Sequence, residues 1–177
     1  MPLSPRLPFD PIAEARRHWG DHGWEDVAPA MAVVTSIMRV QQILLARADT
    51  VLRPLGLTFA RYEILMLLLF SRKGLLPLGK IGERLQVNAA SVTSAVGRLE
   101  RDGLVTKVPN PIDRRGTLAR ITRNGRLLAR RATTRINAQV FAALGVDPPH
   151  LDVLFEALRT LRVAAGDFDQ PGPALQA

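Results

Sequence analysis

Ser91, Thr93, Ser94 and Arg98 lie along one run of helical spacing, and Arg114 and Arg115 stand beside Asp113 at the tip of a turn-rich segment. Hydroxyls and guanidinium groups of this kind grip phosphate oxygens and base edges; arginine takes guanine or phosphate, and serine and threonine take either. Two arginines on a short, stiff tip suit a minor groove, where negative potential is focused. Asp113 is out of place on a tip that needs only positive charge. Paired with a neighbouring arginine, it would hold the tip's shape. The residue sets that carry enzymatic chemistry are missing. The chain has no cysteine, which excludes thiolate catalysis, disulfides, cysteine zinc sites and thiol redox sensing. Residues 77–80, "PLGK", hold a Gly-Lys without the spacing of a phosphate-binding loop, and no paired-carboxylate motif occurs. His18 and His22 would form two legs of a metal site on a continuous helix. Gly20 and Gly23 interrupt that helix and no third ligand follows, so no metal or cofactor is expected.

Charge points the same way. The 177 residues carry a net +8, and the segment 72–135 holds 15 basic residues against four acids, a local +11, while the remainder is −3. A bias toward arginine would spread the charge evenly. One contiguous basic segment indicates a polyanionic partner. Hydrophobic residues make up 47% of the chain, enough for a sizeable core. The N-terminus has no apolar stretch of the signal-peptide kind. The densest apolar run, Ile64 to Phe70, is seven residues, against the about 20 that a membrane span needs. These features predict a cytoplasmic protein with no membrane partner.

The elements that must position these side chains follow from periodicity and punctuation. Residues 1–11 hold four prolines and read as a flexible arm. A short helix is expected at about 12–19. A long one follows at about 30–52, with Met31, Val34, Ile37, Met38, Leu44, Leu45, Ala48 and Leu52 at helical spacing and Pro54 and Gly56 closing it. Thr58 can cap a helix over about 59–71. "RKGLLPLGK" breaks it, and a short helix at about 79–86 follows. Asn88 caps the next helix, 89–102, in which Val92, Val96 and Leu99 make one apolar stripe and Gly103 ends the run. With Val92 inward, Ala90, Ser94, Gly97 and Arg101 face out, with Ser91 and Arg98 on one shoulder and Thr93 on the other. A solvated face usually carries longer Glu, Lys and Gln, whereas small residues let a helix backbone sit deep in a major groove about 12 Å wide. Two strands, 104–108 and 117–121, flank the arginine tip. A long helix should run from Arg123 past Leu127, Leu128, Ala132, Ile136 and Val140 to Gly145, and another should start at Pro148. The tail 166–177 reads as disordered.

The order helix, helix, turn, helix, hairpin is a winged helix-turn-helix. The fold class expected is therefore mainly α with a small β-hairpin wing, a winged domain plus a helical dimerisation region. Residues 76–126 resemble the MarR family of bacterial transcription regulators, most closely in "VTSAVGRLERDGLV" and "DRRGTLARITRNG". Asp113 and Arg115 fall on that family's Asp-x-Arg wing, and Thr122 and Gly125 on its Thr-x-x-Gly turn, with Ile121 in place of leucine. The resemblance implies a homodimer whose base comes from residues 12–57 and 123–165, with 58–122 as the DNA-binding domain. It implies an inverted-repeat operator on double-stranded DNA. Asn88, Ser91, Thr93, Ser94, Arg98, Asp113, Arg114 and Arg115 are the expected DNA-binding set. The resemblance further implies a repressor released by a small aromatic or anionic effector. The N-terminal helix is similar to the extra helix of a urate-responsive subgroup. Trp19 and Glu63 would hold the ligand there, with Glu63 where the subgroup has Asp, and Phe59, Arg61 and Tyr62 nearby. An architectural nucleic-acid binder without ligand sensing is the alternative.

Overall fold

The computed structural model describes residues 7–111, 113 and 116–168. Residues up to Phe141 form one compact unit, and residues from Ala142 form a second. The first unit begins with α1 (Pro11–Asp21), whose first turn is capped by the Asp10 carboxylate accepting the Ile12 N–H at 2.9 Å. Next come α2 (Ala28–Leu52) and a short 3-10 turn (Arg53–Leu55) that Gly56 ends at φ 69°, in the left-handed region. The remaining elements are α3 (Phe59–Phe70), β1 (Leu75–Pro77), α4 (Leu78–Leu85), α5 (Ala89–Arg101), β2 (Val105–Pro109), β3 (Thr117–Ile121) and α6 (Arg123–Ile136), which runs on as a π-turn, Asn137–Phe141. The second unit is α7 (Pro148–Ala164).

The core is one cluster. Leu52 from α2, Ile64, Leu65 and Leu68 from α3, Ile81 from α4, Val92, Val96 and Leu99 from α5, and Ala129, Ala132 and Ile136 from α6 close on one another. Burial of this apolar surface is the main stabilising term. α2 is different: only Ala28, Ala48 and Leu52 are buried, and Val33, Val34, Ile37, Met38, Val40 and Leu45 are exposed. The helical run Ala28–Leu55 is long and apolar enough, by length and composition alone, to cross a membrane. Arg39 and Arg47 break its sequence into short apolar pieces, so it does not stand out as a dense apolar run.

Two expectations need correction. The wing is a three-stranded antiparallel sheet in the order β1-β3-β2, not a two-stranded hairpin. The extra strand pairs Leu75 with Arg120 and Leu76 with Ala119. Three residues are too few to show a period of two, and the neighbouring Gly74 and Pro77 read only as breakers; Pro77 is tolerated because it ends an edge strand. The second correction is α6, which stops at Ile136 rather than running as an α-helix to Gly145. Its buried stripe is Gly125, Ala129, Ala132 and Ile136, and Leu127 points out. The start of α6 sets this rotation. Thr122 accepts the Gly125 N–H at 3.0 Å and donates to the Gly103 carbonyl at 2.9 Å. Gly125 then lies so close to the Leu104 carbonyl that a Cβ there would overlap it.

Candidate nucleic-acid interface

The helix-turn-helix is built from α4, the three residues after it, and α5. Gln86 turns the chain at φ 54°, and Val87 N–H donates to the Gly82 carbonyl at 3.1 Å. Gly82 has no room to spare: a Cβ there would stand 3.0 Å from the Val87 carbonyl and 3.4 Å from Val92 Cγ2. Asn88 caps α5, its Oδ1 accepting the Ser91 N–H at 2.8 Å. Val92, Val96 and Leu99 are buried, which fixes the helix rotation, and Ala90, Ser91, Thr93, Ser94, Arg98 and Arg101 are all exposed. The outward face is thus small, hydroxylated and cationic. A shallow groove of about 410 Å³ runs between Thr58, Ala60 and Arg61 at the start of α3 and Ser91, Ser94 and Arg98 on α5.

The wing leaves the end of α5 through Gly103 and Leu104. β2 and β3 pair from Val105↔Ile121 to Pro109↔Thr117. Beyond them Asn110 N–H donates to the Gly116 carbonyl at 3.1 Å, and Gly116 N–H to the Asp113 carbonyl at 2.9 Å. Asp113 is exposed. Arg114 and Arg115 lie outside the described residues.

Two acids that spacing did not single out tie this surface together. Glu100 Oε1 accepts the Lys107 N–H at 3.0 Å on the free edge of β2, and its Oε2 lies 3.0 Å from Lys107 Nζ. The hydrogen bonds and charge of Lys107 hold the Glu100 carboxyl below its usual pKa. Asp102 Oδ2 accepts Arg61 Nη1 at 3.1 Å. A signal for both was present in the chain. Acids at the C-terminal end of a helix oppose the helix dipole, so each needs a cation elsewhere.

The expected ligand residues make different contacts. Tyr62 is 5% exposed and its hydroxyl is 3.1 Å from Thr133 Oγ1. Phe59 stacks obliquely on Tyr62, and its N–H donates to Asp49 Oδ1 at 2.8 Å. The Arg61 guanidinium is committed to Asp102 and, through Nη2 at 2.6 Å, to the Gly56 carbonyl. Trp19 packs edge-on against Trp24 at 5.5 Å, in the corner between α1 and α2. Glu63 is half-buried, and desolvation raises its pKa. His22 Nδ1 sits 2.8 Å from the His18 carbonyl, and no group of three potential metal ligands is found among the described residues.

The family description "MarR family" matches residues 55–116, from the 3-10 turn to the wing tip. Sco5413, a MarR family transcriptional regulator from Streptomyces coelicolor, is 55% identical; the superposition covers 80% of this chain and 99% of that one with a TM-score of 0.74. Sco3205, a MarR family transcriptional regulator of the same organism solved in complex with DNA, is 27% identical over 82% of this chain and 91% of that one, with a TM-score of 0.66. The HTH-type transcriptional regulator MhqR of Bacillus subtilis (strain 168) is 38% identical over 63 residues, so the match spans 36% of this chain and 43% of that protein. The near full-length likeness to Sco5413 and the match over the helix-turn-helix and wing agree: this chain belongs to the MarR family of transcription regulators.

Proposed function

We propose that the protein is a homodimeric repressor that binds an inverted-repeat operator and releases it when a small aromatic or anionic effector binds. The observation that carries the DNA reading is the face of α5. Its stripe of Val92, Val96 and Leu99 is buried, and Ser91, Thr93, Ser94 and Arg98 are all presented to solvent. Ser91, Thr93 and Ser94 would contact base edges or phosphates, Arg98 would take guanine or phosphate, and Asn88 would fix the start of the helix near the backbone. Arg114 and Arg115 would enter the adjacent minor groove, with Asp113 holding the tip.

Dimerisation is supported by uncovered apolar surface. The exposed Val34, Ile37 and Met38 of α2, and separately Leu154 and Phe155 of α7, need a cover, and exposed apolar clusters of this kind mark interfaces. On this reading 12–57 and 123–165 serve dimerisation and 58–122 serves DNA. A two-fold dimer reads half-sites about 34 Å apart. The effector reading is supported by Glu63, a partly desolvated carboxyl for which no hydrogen bond is found among the described residues; Phe59 and Trp19 would supply apolar and aromatic walls. The protein would act in the cytoplasm.

The test is fluorescence-anisotropy titration of the full chain, at physiological salt, onto a duplex that it has itself selected from a random pool. Tight binding to an inverted repeat, two protomers per site and release by one member of an aromatic-acid library support the proposal. Weak, sequence-indifferent binding contradicts it and favours an architectural role.

A further inference from the structure

We propose that Arg61 is the positioning residue of the DNA-reading surface: its guanidinium ties the C-terminal end of α5 to the corner between α2 and α3 and so sets the angle at which Ser91, Thr93, Ser94 and Arg98 meet the groove. The inference rests on the DNA-binding function proposed above.

Arg61 opens α3, and its side chain is 18% exposed. Nη1 donates to Asp102, the residue that ends α5, and Nη2 donates to the carbonyl of Gly56. The Gly56 end is fixed. Gly56 sits at φ 69° at the end of the 3-10 turn, and Leu57 behind it is buried. The corner is bolted again where Phe59 N–H donates to Asp49 of α2 and Thr58 accepts the Arg61 N–H.

The other contacts that seat α5 are different in kind. Val92, Val96 and Leu99 are apolar, and apolar burial is non-directional, so it resists separation more than sliding or rotation. The planar guanidinium fork imposes direction. On the far side of the same helix end, Glu100 holds the Lys107 N–H and ammonium of β2. A chain of polar contacts and helix backbone thus runs from Asp49 to α3 at Phe59, from Arg61 on α3 to Asp102 at the end of α5, and from Glu100 on α5 to Lys107 on the wing. A displacement of α2 would reach both DNA-contacting elements along it. Helix stability does not explain Asp102, since an acid at a helix C-terminus opposes the dipole. Stability of the pair does not explain it either: Asp102 is 49% exposed, and exposed pairs contribute little.

The experiment uses the full chain and two duplexes, one selected by the wild-type protein from a random pool and one scrambled. Asp102→Asn keeps the shape and removes a negative charge, so electrostatics alone would tighten binding to both. The proposal predicts instead a roughly tenfold weaker affinity for the selected duplex, the scale of one lost base contact, with scrambled DNA unchanged or bound more tightly. Arg61→Gln should cut the ratio of selected to scrambled affinity similarly. The double variant should lose no more than the worse single, because both residues act through one contact. Thermal unfolding of each variant sets the folded fraction for comparison. An unchanged ratio, or equal weakening on both duplexes, overturns the positioning role. A wild-type protein that binds both duplexes equally overturns the regulator reading instead.

Discussion

Glu63 sits where its surroundings oppose its charge. Burial raises its pKa above the ordinary 4.5, so the folded state favours the protonated form. The stabilising contribution is complete below about pH 4.5 and is lost as pH rises through the higher folded value. Glu63→Gln should therefore have a higher Tm than wild type at pH 7, and the gap should close near pH 4; an equal or lower Tm at pH 7 would show that the carboxylate has a stabilising partner. Arg98 is a simpler case. Arg98→Ala should weaken the selected duplex by about 1–3 kcal/mol if the guanidinium reads guanine, with far less change on scrambled DNA. Equal loss on both would move Arg98 to the phosphates. The exposure of Ser91, Thr93, Ser94 and Arg98 followed from 100° per residue and the position of Val92. The partners of Arg61 did not. They lie at Gly56 and Asp102, and no local pattern encodes a contact 41 residues away.

At the scale of elements, Gly125 and Glu100 decide how the wing is mounted. A Cβ on Gly125 would meet the Leu104 carbonyl, which is backbone and cannot swing aside. Gly125→Ala should cost about 1–3 kcal/mol or more by overpacking, seen as a clear fall in Tm; an unchanged Tm would mean that α6 shifts freely. Glu100 has a lowered pKa, so its contribution is present above pH 4.5 and lost as pH falls through the folded value. Glu100→Ala should lower hydrogen-exchange protection of the Lys107 amide several-fold at pH 7, and wild-type protection should decline in acid. Protection unaffected by the substitution would remove Glu100 as the cap of the β2 edge. Two capping residues were legible in the chain: Asn88 and Thr58 cap the helices they precede. β1 was not, because its pairing with β3 is non-local and it is only three residues long. The rotation of α6 was not legible, because tight approach of Gly125 to Leu104, not side-chain hydropathy, sets it.

At the scale of the whole molecule, the proposed repressor would associate with a second copy and with DNA. Met38→Asp places a charge on the exposed apolar face of α2 and should shift the protein toward monomer in light scattering at micromolar concentration; a dimer that persists unchanged would move the interface elsewhere. A dimer would carry twice the +8 of the chain, so the logarithm of affinity should fall linearly with the logarithm of salt as counterions are released. The most direct test of the central claim is the affinity of the wild-type protein for its selected duplex against a scrambled duplex of equal length at physiological salt. A sequence-specific regulator should prefer the selected site by about 10³-fold or more. Equal affinities would contradict the account and leave the basic segment as a holder of DNA backbone without sequence reading.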